Sequence, residues 1–207
     1  GFERLVPFSS WTLIIFGLSM WINGLISLSI LFGAIPPDIL VKVGVAFFST
    51  AFSAAALTAV IVRYVILPSM IQNGAPVDHM FLPHEQVMHN WALILLAIEL
   101  GLGWMVVQTP MVSLGLTYGA LYLIFAELWA LWGGGYYVYQ FIDPRPRFAP
   151  YLLLGLTLVC ALSFGVGLLV SLIRAQNPFL AVFLLFLLVI GSTRFKNPAA
   201  LGDSTSN

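Results

Sequence analysis

The chain has 207 residues, of which 60% are hydrophobic and 8% are charged, and its formal net charge is zero. A soluble domain carries about a quarter charged residues, so this chain has too few charges to cover itself in water and most of it must lie in lipid. It has no basic arm or acidic tail, which argues against nucleic acid as a partner.

Six apolar stretches are candidates for membrane-spanning helices, because a span needs about 20 mainly apolar residues. They cover residues 10–32, 39–66, 87–107, 111–132, 150–173 and 178–190, and the last is short for a span. Proline-containing turns separate several of them, and the sequence lacks the alternation of a β-barrel. Residues 1–207 are therefore predicted to form one all-α integral membrane domain, a multi-pass bundle of six transmembrane helices.

The basic residues predict the direction of this bundle in the membrane. The side of the N-terminus carries Arg4, Arg63, Arg145, Arg147, Arg194 and Lys196, whereas the opposite side carries Lys42 and Arg174. The positive-inside rule then places both termini in the cytoplasm. The longest connection, residues 67–86, contains three prolines and is predicted to be an interfacial loop between the second and third spans.

Thr12 and His89 stand near the starts of the first and third spans. Odd-numbered spans enter the bilayer from the same side, so both side chains are expected at a similar shallow depth, where contact is possible. Thr12 is interpreted either as part of a helix cap or as a nucleophile that an adjacent histidine activates. His89 is interpreted either as an interfacial side chain bonded to a loop carbonyl or as that base. Ser9, Ser10 and Ser19 are competing hydroxyls.

Two glutamates lie deep in the predicted bilayer, where ionisable groups are rare and usually face the bundle interior or a wet cavity. Glu99 is ten residues beyond His89 and hence about 15 Å deeper along a helix. It is expected either to join helices through a hydrogen bond or to act as a proton site. Glu127 is closer in depth to His89 and is a candidate to orient its ring, in the manner of a catalytic triad.

Several cofactor chemistries lack the residues that they need. Bis-histidine haem ligation requires two facing histidines, and only His89 is expected within a span. No span has the carboxylates and histidines of a di-metal site, and the only lysines, Lys42 and Lys196, lie near span ends, which argues against a retinal Schiff base. The single cysteine, Cys160, excludes an intramolecular disulfide. No cofactor and no metal are predicted.

Three stretches of the chain follow the pattern of one known family. "SSWTLIIFGLSMWINGL" is similar to the first span of that family, and "HEQVMHNWALILLAIEL" with the preceding "IVRYVILPSMIQNGAP" is similar to its second loop and third span. "YLIFAELWALWGGGYYVYQFID" is similar to the end of the fourth span. The chain thus resembles the androgen-induced membrane hydrolases and their bacterial six-span relatives.

The resemblance implies a threonine hydrolase that cleaves fatty acid esters of hydroxy fatty acids, with a threonine in the first span and a histidine at the start of the third. By position these residues are Thr12 and His89. The chain departs from the family pattern at Leu131 and Trp132, where relatives have histidines, and at Asn90, where relatives often have a small hydroxyl residue.

The leading hypothesis is an intramembrane lipid ester hydrolase with Thr12 as nucleophile and His89 as base. Asn90 or backbone groups would stabilise the oxyanion. The alternative is a non-catalytic membrane subunit or scaffold of a larger complex that binds lipid or pigment. A third hypothesis is a small proton-coupled transporter that uses Glu99 and Glu127. Membrane lipids are expected partners in each case.

Overall fold

The computed structural model describes residues 2–197. Helices make up 80% of this part of the chain, and it contains no strand. The long helices are α1 (Phe8–Leu31), α2 (Asp38–Gln72), α3 (residues 83–102), α4 (Val112–Trp132), α5 (Ala149–Gln176) and α6 (Pro178–Ser192). The predicted all-α class is therefore confirmed for the described residues.

Four helices are long and apolar enough to cross a membrane. They are Phe8–Leu31, Asp38–Gln72, Thr109–Trp132 (α4 with the 3-10 turn before it) and Ala149–Gln176. Large hydrophobic side chains such as Trp21, Phe32, Leu162 and Phe179 are exposed on the outside of the bundle, as expected of surfaces that face acyl chains. The structure therefore supports a membrane protein.

The helix α2 is the centre of the bundle. In its most apolar 18-residue segment, 72% is buried, whereas the corresponding share is 17–28% in the other three long apolar helices. The helix α2 also contacts α1 and each of α3–α6. Its middle is rich in small residues, namely Ser49, Ala51, Ser53, Ala54, Ala55, Ala56 and Ala59. Small side chains let helix backbones approach closely, so this composition explains why five helices pack around α2.

The chain between α2 and α3 differs from the loop that the sequence predicts. α2 continues through a π-helical turn at Val62–Ile66 and ends with the helical segment Leu67–Gln72, and α3 already begins with the helical turn Pro83–Gln86. The connection is therefore residues 73–82 rather than 67–86. A proline at position 68 conflicts with the carbonyl four residues earlier, and the wider π turn before it accommodates that proline without ending the helix.

The helix α3 contains a second π-helical turn, Val87–Trp91, between Pro83–Gln86 and Ala92–Leu102. His89 and Asn90 both lie in this turn, and both are buried. The turn packs against α1 and α2. Because π turns are frequent at functional sites, the neighbourhood of these two residues is the natural place to look for chemistry.

Candidate functional site

A cavity of about 310 Å³ lies among α1, α2, α4, α5 and the segment that follows α4. Its wall is mostly apolar and includes Leu57, Ile61, Leu116, Leu123, Leu156 and Cys160. We call this space the apolar cavity. A ligand site of this kind is typically apolar with a few polar groups that fix the orientation of the ligand.

Most polar groups on the wall of the apolar cavity serve the fold. Tyr122 donates its hydroxyl to the carbonyl of Val6 at 3.0 Å, and Thr157 donates to Leu153 one helical turn earlier at 2.8 Å. The hydroxyl of Tyr139 accepts the backbone N–H of Phe8 at 3.2 Å and so caps the start of α1. These three hydroxyls are hydrogen-bonded to backbone groups of the protein.

Thr58 differs from the other wall residues, because its partner is a predicted site residue. The hydroxyl oxygens of Thr12 and Thr58 are 2.8 Å apart, and either can be the donor. Thr12 is fully buried and does not line the apolar cavity, whereas Thr58 does. The hydroxyl that a ligand in the cavity would meet first therefore belongs to Thr58, with that of Thr12 directly behind it.

His89 is buried, with 6% of its surface exposed. Its Nε2 atom lies 3.6 Å from the Oε2 atom of Glu85, one helical turn earlier, a distance at which a protonated ring and a carboxylate attract each other. Its Nδ1 atom is buried and has no hydrogen-bond partner within residues 2–197. The ring thus has one nitrogen beside a carboxylate and one nitrogen available as an acceptor or donor.

The structure does not join Thr12 to His89 by a hydrogen bond, although their helices are in contact. A void of about 10 Å³ is lined by the His89 side chain and by residues of α2 that include Ala59 and Val62. Ala59 follows Thr58 in the chain, and Val62 also lines the apolar cavity. The imidazole and the hydroxyl pair therefore flank the same short stretch of α2.

The other predicted site residues have structural partners. The carboxylate of Glu127 accepts the hydroxyl of Tyr137 at 2.6 Å, so it does not orient His89 in this structure. The carboxylate of Glu99 accepts the side-chain amide of Asn23 in α1. This interhelical hydrogen bond corresponds to the structural interpretation of Glu99.

Both the nitrogen and the oxygen of the Asn90 side-chain amide form hydrogen bonds within the protein. The side-chain nitrogen donates to Gln86 Oε1 at 2.5 Å and to the backbone carbonyl of Arg194 at 2.8 Å. The side-chain oxygen accepts the backbone N–H of Arg194 at 3.2 Å. One amide hydrogen therefore binds within α3 and the other fixes the segment after α6, so neither is free for a ligand.

Two residues at the site, Thr58 and Glu85, are not among the sequence predictions. Glu85 precedes His89 by four residues on one helix, and this spacing alone indicates neighbouring side chains. Thr58 lies in the middle of an apolar span, and nothing in the local pattern distinguishes it from Thr50. Only the packing of α1 against α2 brings it to Thr12.

Within the described range of the chain, no group of three His, Cys, Asp or Glu side chains could hold a metal ion. The groups described above are hydroxyls, the His89 imidazole and the Glu85 carboxylate, which also lies 3.6 Å from the exposed ring of His84. Comparison of the chain with protein-family models, with curated proteins and with solved structures gave no match.

Proposed function

We propose that this protein is an intramembrane lipid ester hydrolase in which Thr12 is the nucleophile and His89 is the general base. The observation that carries the proposal is the state of the His89 ring, with Nε2 facing Glu85 at 3.6 Å and Nδ1 buried without a partner. A base with a carboxylate on one side and a free nitrogen on the other supplies two of the three parts of a catalytic triad, and the proposal adds Thr12 as the third. The apolar cavity, which shares the wall residue Val62 with the small void at His89, supplies room for an acyl chain.

In the proposed reaction an acyl ester enters the apolar cavity from the lipid. His89 Nδ1 takes the proton of the Thr12 hydroxyl while the Thr12 oxygen forms a bond to the ester carbonyl carbon, and the carbonyl electron pair moves to its oxygen. That pair returns as the bond to the alcohol breaks, and the alcohol oxygen receives the proton from His89. A water molecule then releases the acyl group from Thr12 as a fatty acid, with His89 again as base.

The first step requires that the Thr12 hydroxyl change its hydrogen-bond partner from Thr58 to His89. In this structure it is hydrogen-bonded to Thr58, and the reaction needs it within hydrogen-bond distance of His89. Catalytic hydrogen bonds are often long or incomplete without substrate and tighten when it binds. The contact of α1 with the turn that carries His89 supports a short movement rather than a rearrangement of helices.

Glu85 takes the orienting role for which the sequence favours Glu127. A carboxylate beside the base stabilises the imidazolium that forms during the reaction. Glu85 is close to Nε2 of His89, whereas Glu127 is engaged by Tyr137. We expect a loss of activity in Glu85→Gln and little loss in Glu127→Gln.

The proposal is tested with purified protein in detergent micelles and p-nitrophenyl esters of increasing acyl length. Thr12→Val and His89→Gln should each lower the rate at least about 100-fold, the usual contribution of acid–base catalysis. Ser10→Ala is the matched control, because the Ser10 hydroxyl is near Thr12 in the chain but donates to the backbone of Arg4. Thr12→Val protein with the parental rate would falsify the role of Thr12.

A second candidate function is non-catalytic binding of a lipid or pigment in the apolar cavity. It is favoured by the burial of Thr12 and its bond to Thr58, because a permanently paired hydroxyl is a structural element rather than a nucleophile. A binding protein would take up a fluorescent fatty acid and release no alcohol from any ester. A fluorophosphonate probe would then label neither threonine, whereas a hydrolase would carry the label on Thr12.

The proposed membrane arrangement has six spans with both termini in the cytoplasm. α6 has 15 residues, or about 22 Å of helix, which is short but tolerated where the bilayer thins or flanking side chains extend to the interface. An N-glycosylation acceptor placed in residues 33–37 should be modified during membrane insertion, and one placed in residues 143–147 should not. The opposite pattern would reverse the orientation.

A further inference from the structure

The oxyanion of the proposed reaction needs a hydrogen-bond donor that the cavity wall must supply. A developing oxyanion is stabilised by donors about 2.7–3.1 Å from the position that it occupies. The sequence favours Asn90 or backbone groups at the start of the third span for this role. The two amide hydrogens of Asn90 are directed to Gln86 and to the backbone of Arg194, so its side chain does not supply the donor.

Thr58 is the wall hydroxyl best placed for that role. Its oxygen is 2.8 Å from the Thr12 oxygen, the atom that bonds to the ester carbon in the tetrahedral intermediate. The oxyanion is bonded to the same carbon as the Thr12 oxygen, so the Thr58 hydroxyl, which contacts the Thr12 oxygen, can also reach the oxyanion. The hydroxyls of Tyr122 and Thr157 donate to backbone carbonyls. Among the wall residues that carry a hydroxyl, which also include Ser9 and Tyr139, Thr58 is the one with a hydrogen bond to Thr12.

We propose that Thr58 is a further catalytic residue of this site, one whose hydroxyl donates a hydrogen bond to the oxyanion of the substrate. The proposal rests on the hydrolase function proposed above. Either hydroxyl can donate in the Thr12–Thr58 hydrogen bond, and the proposed role requires the arrangement in which Thr12 donates and the hydrogen of Thr58 turns toward the cavity. Thr58 keeps its proton throughout the reaction and forms no covalent bond, since the proton of Thr12 goes to His89.

The role predicts a specific kinetic signature. Thr58→Val has nearly the shape of threonine but no donor, so kcat should fall about 100- to 1000-fold, as it does when an oxyanion donor is removed, while KM changes little. Thr58→Ser restores a donor and should recover most of kcat. The matched control is Thr50→Val on the same helix, because the Thr50 hydroxyl donates to the carbonyl of Ala46 at 2.9 Å and lies away from the cavity.

Cys160 separates a catalytic role of Thr58 from a role in binding or folding. It is the single cysteine of the chain and lines the apolar cavity, so its alkylation by N-ethylmaleimide reports whether the cavity is filled. A non-hydrolysable ether analogue of the ester should protect Cys160 equally well in wild-type and Thr58→Val protein. Equal protection together with the lost kcat supports the proposal.

The remaining outcomes overturn it in distinguishable ways. If wild-type protein hydrolyses esters and Thr58→Val does so equally well, the role of Thr58 is wrong and the hydrolase function stands. If Thr58→Val loses the protection of Cys160, Thr58 acts in binding and not in catalysis. An acyl group found on Thr58 by mass spectrometry would make Thr58 the nucleophile. Wild-type protein without any hydrolysis would overturn the hydrolase function itself.

Discussion

Asn23 of α1 donates its side-chain amide to both carboxylate oxygens of Glu99 in α3, at 3.2 and 3.3 Å. Both side chains are buried. A carboxylate deep in a membrane bundle is costly unless it has a partner, and the amide provides one from the neighbouring helix. The pair therefore links α1 to α3, which corresponds to the structural interpretation of Glu99 from the sequence.

Removal of Asn23 should destabilise the protein more than neutralisation of Glu99. Asn23→Leu leaves a buried carboxylate without its donor, which costs about 1–3 kcal/mol, whereas Glu99→Gln keeps an acceptor for the amide. The double variant with leucine at both positions should be more stable than Asn23→Leu alone, because the buried carboxylate is no longer present without its donor. Thermal unfolding in detergent measures all three, and proton-coupled flux that disappears in Glu99→Gln would instead favour the transporter hypothesis.

The end of α6 is capped by two side chains from the π turn of α2. The Arg63 guanidinium donates to the carbonyls of Ile190 and Thr193, and the Tyr64 hydroxyl donates to that of Gly191. The last carbonyls of a helix have no partners within it, and a cation is favourable near that end. The π turn thus has a structural function beyond accommodating a proline.

Loss of this cap should loosen the end of α6. Arg63→Met removes charged hydrogen bonds and should cost about 1.5–3 kcal/mol, and Tyr64→Phe about 0.5–1.5 kcal/mol. Trypsin should cut faster after Arg194 in both variants. Arg147→Met is the control, because it removes an exposed arginine that takes no part in this cap. Unchanged cleavage and unfolding temperature in Arg63→Met would show that the cap is dispensable.

Gly103 ends α3 in a conformation that favours glycine, with φ of 79°. A Cβ atom there would lie 1.6 Å from the guanidinium of Arg174, which donates to the carbonyls of Gly101 and Leu102. Gly103→Ala should therefore cost about 1–3 kcal/mol in backbone strain and also displace the arginine cap. Gly24→Ala is the control, since a Cβ in the interior of α1 meets no atom within 4 Å; it should stabilise by about 0.5–1 kcal/mol. Equal unfolding temperatures for the two variants would contradict this account.

Tyr137 should titrate later than an ordinary tyrosine. Its hydroxyl donates to Glu127 at 2.6 Å, and this hydrogen bond is the main reason that its pKa rises to about 12. A raised pKa in the folded state means that the stabilisation is complete below about pH 10, the usual tyrosine value, and is lost as the pH rises through about 12. The difference in absorbance at 295 nm between wild type and Tyr137→Phe should therefore develop near pH 12, and in Glu127→Gln the pKa of Tyr137 should fall toward 10. A difference already complete at pH 10.5 would show that the bond is absent in solution.

Much of the helical layout follows from the sequence alone. α4 ends at Trp132 and α6 begins at Pro178, as predicted, and α1 and α5 differ from their predicted limits by a few residues. These limits are local properties, because the length of an apolar run and the position of a proline or glycine decide where a span can begin and end. The continuation of α2 past Pro68 was not predictable in this way, since it depends on a π turn that most helices with an internal proline lack.

The partners of the polar residues were decided by the tertiary structure. The sequence determined that Thr12, His89, Glu99 and Glu127 lie in helices and how far apart His89 and Glu99 are along α3, because each residue advances an α-helix by about 1.5 Å. It did not determine how far each helix is rotated about its own axis, and that rotation depends on side-chain packing across all the helices at once. The hydrogen bonds of Thr12 with Thr58 and of Glu127 with Tyr137 therefore became visible only in the tertiary structure. The approach of Glu85 to His89 is different, since a spacing of four residues on one helix already brings two side chains together.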